Sequence, residues 1–130
     1  MKVLGGTSRA SVITLRKSLA DAVSKQSASD AASFASDLFT ILTVLSSSVG
    51  LRRALTDNAR DKSAKAELIS NLFGKNINAD AQALLATAAS LRWSSPAELA
   101  DAVEHLAVEA QGVAAEKSNE QAALENELFD

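Results

Sequence analysis

One histidine, no cysteine and a scatter of serines and carboxylates are all that this sequence offers for chemistry. General acid–base work needs a positioned partner and a tuned pKa. His105, between Glu104 and Leu106, has no companion of that kind in its segment and reads as a surface or boundary residue of a helix. Ser46–Ser48 and Ser94–Ser95 lack the strand–turn–helix setting of a nucleophile elbow and read as helix ends. Glu98, Asp101, Glu104 and Glu109 make an acidic run, but a hard cation needs oxygens converging from several elements. A solvated helix face is the simpler reading. Gly5–Gly6 is too short to cradle a phosphate and follows no strand. The sequence therefore predicts no catalytic residue, no cofactor and no metal.

Charge is distributed unevenly. Residues 1–75 carry 11 Lys/Arg against 6 Asp/Glu, and residues 76–130 carry 2 against 10, within a net charge of −3. Such polarity can steer partners of opposite sign, although helix faces of unequal charge explain it more simply. Arg52, Arg53, Arg60, Lys62 and Lys65 form a basic cluster that could meet phosphates. No aromatic residue interleaves with them. Lack of cysteine excludes disulfides and thiolate chemistry and suits a reducing compartment. The opening MKVLGGTSRAS has no apolar run of signal-peptide type, and no segment reads as a membrane span. The expectation is a soluble, cytosolic chain that reaches a membrane only through a partner.

The elements that would carry these residues are all helical. With 130 residues and 47% hydrophobic side chains, the chain is one domain in size and can bury a real core. Its apolar residues step by three and four, with no strand-like alternation. The first helix is expected from about Ser8 to Lys25, with Val12, Leu15, Leu19, Ala22 and Val23 inward and Thr7 or Ser8 as cap. Ser29 or Asp30 opens a long second helix whose stripe is Ala31, Phe34, Ala35, Leu38, Ile41, Leu42 and Leu45. A short connecting helix lies between Gly50 and Asn58, with Leu51 and Leu55 as its buried pair. The fourth runs from Lys62 to Phe73, anchored by Ala64, Leu68, Ile69, Leu72 and Phe73 and stopped by Gly74. Asn78 caps the fifth, with Ala81, Leu84, Leu85, Ala88 and Leu91 inward; Trp93 at its end reads as a half-buried wedge. Ser95, Pro96 and Glu98 give the sixth a capping box, and its stripe continues from Leu99 through Leu106 to Val113. Phe34, Leu38, Leu45, Leu68, Leu72 and Leu106 are the expected core. The fold class is all-α, a compact bundle of about six helices over residues 1–118. Residues 119–130 read as the start of a further helix, a truncated second repeat in which Glu127-Leu128-Phe129-Asp130 echoes Asp37-Leu38-Phe39-Thr40.

Taken in order, TSRASVITLRKSL, SDLFTILTVL, SSSVGLRRALTDNARDKSAKAELISNLFG and LRWSSPAELADAVEHLAVEAQ resemble the N-terminal helical domain of the delta subunit of bacterial F-type ATP synthase, in its actinobacterial form. Its mitochondrial relative is the oligomycin-sensitivity-conferring protein. The resemblance implies a non-catalytic six-helix bundle at the top of the catalytic head. There it would tie the head to the peripheral stalk at the cytoplasmic face of the cell membrane. It further implies that a groove between the first and fifth helices receives the amphipathic N-terminal helix of an alpha subunit. On that basis Ser11, Leu15, Leu19, Leu84, Ala88 and Leu91 are the partner-groove residues, and Arg9 matches the basic residue near the start of the family's first helix. Two departures stand out: Ser11 sits where many relatives carry an aromatic, and the C-terminal part through which the stalk b subunit would be held is missing. The alternative is an RNA-binding bundle of the transcription-antitermination type, suggested by the basic N-terminal half. The expectation here is no nucleic-acid partner and no direct membrane insertion.

Overall fold

The structure, a computed structural model, describes residues 6–129, with side chains described as far as residue 126. Six α-helices and one 3-10 turn account for nearly all of it: α1 Gly6–Ser24, α2 Ala28–Ser47, α3 Val49–Thr56, α4 Lys62–Phe73, the turn Gly74–Asn76, α5 Ala79–Ser90 and α6 Pro96–Phe129. No strand occurs among the described residues. The chain is an all-α bundle.

Local chemistry sets most of the helix ends. Ser27, two residues earlier than expected, caps α2 by accepting the Asp30 amide at 3.1 Å. Ser48 accepts the Leu51 amide at 3.1 Å to open α3, while Arg52 reaches back to the Leu45 and Ser46 carbonyls that end α2. A cation at a helix C-terminus also suits the dipole. Asn78 caps α5 through the Ala81 amide at 2.8 Å, and its own amide donates to the Asp37 carboxylate of α2 at 2.9 Å. Gly74 ends α4 at φ 54° and ψ −128°, outside the left-handed helical well but in backbone space that glycine enters at little cost.

Packing centres on α2 laid along α6. Phe34, Leu38, Ile41 and Leu45 of α2 meet Leu99, Val103, Leu106 and Ala110 of α6 in one core that also takes Leu15 and Leu19 of α1 and Leu85 and Ala89 of α5. By length and composition α2 could cross a membrane, contrary to the sequence expectation. Its other face carries Asp30, Ser33, Ser36, Thr40 and Thr43, all exposed, so in this fold it is an amphipathic core helix.

Two expectations fail on α4 and α6. Leu72 is 46% exposed and Leu68 only half buried, whereas Lys65, Ile69 and Phe73 face inward. The helix is turned by one residue because the Lys65 stem packs apolarly while its ammonium donates to the Ala89 carbonyl at 2.8 Å. α6 does not stop before residue 119. It runs unbroken for 34 residues, so no second helix begins there. From Gly112 to Phe129 there is no proline, and Ala, Glu, Gln, Lys and Leu dominate, so the weak formers Ser118 and Asn119 are carried along. Gly5 and Asp130 lie outside the described residues, and the Leu128 and Phe129 side chains outside the described side chains.

Candidate functional site

Two buried serines fix α1 against the loop between α5 and α6. The Ser8 hydroxyl donates to the Glu98 carboxylate at 2.8 Å and accepts the Ser94 amide at 2.8 Å. The Ser11 hydroxyl lies 2.6 Å from the Arg92 carbonyl and 3.2 Å from that of Thr7. Each buried hydroxyl is thereby satisfied across elements. Periodicity alone does not reveal these pairings, because a serine inside an apolar stripe is locally just a weak helix former. Glu98, expected to fold back onto its own helix start, also reaches across to α1. Further along, Arg16 and Glu109 pair at 2.9 Å, and Lys117 donates to the Gln26 carbonyl at 2.7 Å. These three levels show α1 and α6 running parallel.

The six residues expected to line a partner groove form one seam between α1 and α5, but they close it. Leu15, Leu19, Leu84 and Ala88 are buried in the core, Ser11 is 6% exposed, and Leu91 is half buried against the same core. Their surfaces are consumed by the bundle. What the seam offers to solvent is one step round each helix: Thr14, Ser18 and Ala22 on α1, with Ala83 and Thr87 on α5. At its far end lies a cleft of about 550 Å³ rimmed by Asp21, Lys25, Asp30 and Asp80, where the Gln26 amide donates to Asp80 at 3.1 Å. On the opposite flank of α1 an apolar groove of about 220 Å³ separates it from α6.

The basic cluster does not survive as a unit. Lys65 is buried, with its ammonium on Ala89, and Arg52 is spent on the end of α2; Arg53, Arg60 and Lys62 stay exposed. Burial, by desolvation above all, lowers the Lys65 pKa from its ordinary value, with Asp57 opposing the shift and Arg60 adding to it. Trp93 is the half-buried wedge expected, its indole N–H donating to the Ala88 carbonyl at 2.9 Å. Among the described residues no group of three or more His, Cys, Asp or Glu is placed to hold a metal.

The molecule is thus of the all-helical bundle class, its polar groups capping and cross-linking the helices, with grooves along the first of them. Sequence comparison adds named relatives. The chain is 41% identical over 124 residues to the ATP synthase subunit delta of Kineococcus radiotolerans, covering 95% of this chain and 45% of the relative. It is 38% identical to that of Salinispora tropica over 95% of this chain and 45% of the relative, and 38% identical to that of Streptomyces coelicolor over 99% and 47%. The chain thus spans about half the length of the curated relatives it matches. No protein-family profile matches it. These similarities support reading the chain as an N-terminal domain of the ATP synthase subunit delta type.

Proposed function

We propose that the chain is a non-catalytic element of the peripheral stalk of an F-type ATP synthase, sited at the cytoplasmic face of the membrane. It binds the amphipathic N-terminal helix of an alpha subunit along α1 and α5. The observation that carries this reading is the similarity to ATP synthase subunit delta along nearly the whole chain. The seam supports it physically: Ala22 and Ala83 allow close helix approach, and the buried leucines beneath keep the seam straight. Contact with the stalk b subunit is assigned to the remaining length of the relatives. The RNA-binding alternative is not favoured, since the relatives are named ATP synthase subunit delta and the basic cluster is dispersed.

Titrating a synthetic alpha N-terminal peptide against Trp93 fluorescence tests the reading. Saturable binding that survives moderate salt and weakens about tenfold in Ser18→Asp and Thr87→Asp is expected. Charges at Ser11 or Ala88 would unfold the bundle and report nothing about the groove. No binding, or binding indifferent to both rim charges, rejects the α1–α5 assignment.

A further inference from the structure

The opposite flank of α1 carries a groove that the alpha-helix reading leaves unused. Its floor is Leu19, Ala20 and Val23 of α1 and Val113 of α6, closed at one end by the Arg16–Glu109 pair and at the other by Lys117. Three observations there point outside the molecule. Ile13 is 58% exposed and shares one edge of α1 with Ala20, which lines the groove; the two lie three before and four after Arg16. Gly112, midway along α6, is exposed, and a methyl group added to it meets nothing within 4 Å. A glycine there weakens the helix, and nothing in the chain's own packing requires it. A second helix crossing closely at that point would. The rims, lastly, differ in sign beyond the Arg16–Glu109 pair that bridges them: Arg9 stands on the α1 edge and Glu116 on the α6 edge.

We propose that the α1–α6 groove receives an amphipathic helix of another polypeptide, its apolar stripe over Ile13, Ala20 and Gly112, with acidic residues on the edge beside α1 and basic residues on the edge beside α6. Two parallel helices make a straight trough, and from Arg16 to Ser24 it is about 12 Å long, about two turns, with Ile13 one turn beyond. Charge complementarity selects the occupant, because a helix with one sign on both edges repels one rim.

Three designed peptides with the same leucine stripe test this: one with glutamate on one edge and lysine on the other, one with glutamate on both and one with lysine on both. Exchanging the two edges is no control, since the helix would reverse direction and restore the match. By calorimetry at low salt the mixed-edge peptide should bind about tenfold tighter than either homopolar peptide. Gly112→Leu fills the crossing point at an exposed helical site, so it should leave thermal unfolding unchanged or raised while binding weakens about tenfold. Ile13→Asp should weaken it likewise. No saturable binding, equal binding by a homopolar peptide, or unchanged affinity in Gly112→Leu overturns the proposal. So does sedimentation of the chain as a dimer that Gly112→Leu dissociates, which would make the occupant a second copy. Failure here leaves the α1–α5 reading intact, because that reading is tested at Ser18 and Thr87.

Discussion

Lys65 puts an ammonium group where a leucine would be expected, and the consequence is a pH dependence. Its pKa in the folded chain lies below the ordinary 10.5, so in the window between the two values the unfolded chain holds the extra proton. Stability must rise with pH through the lowered folded value and level off above 10.5. Lys65→Met removes this dependence. The urea unfolding free energy of the native chain minus that of Lys65→Met should climb between neutral pH and pH 10.5. A flat difference would show that Lys65 titrates normally. Comparing α2 with the same helix supplies a paired test of the core. Leu38→Ala should cost about 2–5 kcal/mol, because the side chain is fully enclosed, whereas Leu72→Ala should change stability by under about 0.5 kcal/mol. Equal losses at the two positions would mean that α4 sits in the register its apolar stripe suggested.

Among the elements, α6 is the one whose ends differ most. From Leu99 to Ala114 it is covered by α2 and α1, but every described residue from Ser118 to Asn126 is exposed, Leu124 included. Helix without tertiary support is marginal in water. Amide exchange should therefore be slow across 99–114 and faster by orders of magnitude beyond 118. Uniform protection along the helix would show a partner on the exposed stretch. How far the elements could be read beforehand follows from the same balance. The long periodic stripes of α2, α5 and α6 placed those helices, since few alternatives fit a step of three and four over several turns. The cap of α2 was ambiguous because Ser27, Ser29 and Asp30 are all good caps within four residues, and local propensity does not choose among them. The rotation of α4 was illegible because it depends on an acceptor, the Ala89 carbonyl, that is 24 residues away. The groove residues were ambiguous for a different reason: a core face and a groove floor give the same apolar periodicity. Only the packing of α1 on α5 shows that Leu15, Leu19 and Ala88 belong to the former.

At the scale of the whole molecule, the order of helices and caps was enough to suggest the delta-subunit family, while the surfaces through which such a bundle acts were not. They depend on which positions remain outside after packing, and α1 leaves two such margins, one toward α5 and one toward α6. The imbalance of charge between the halves of the chain also takes a physical form. Arg16 of the basic half meets Glu109 of the acidic half across the α1–α6 seam, so there the two halves of the chain are joined by an ion pair. The reach of α6 has a mechanical meaning. Its 34 residues make a rod of about 50 Å, of which the stretch from Ser118 to Asn126, about 14 Å, stands clear of the bundle. Any sideways load on that exposed stretch acts as on a cantilever, and the bending moment is greatest where the rod enters its support. That place is Lys117, clasped to the Gln26 carbonyl at the α1–α2 turn. Strain imposed from outside would thus be delivered first to the turn that joins the bundle's first two helices.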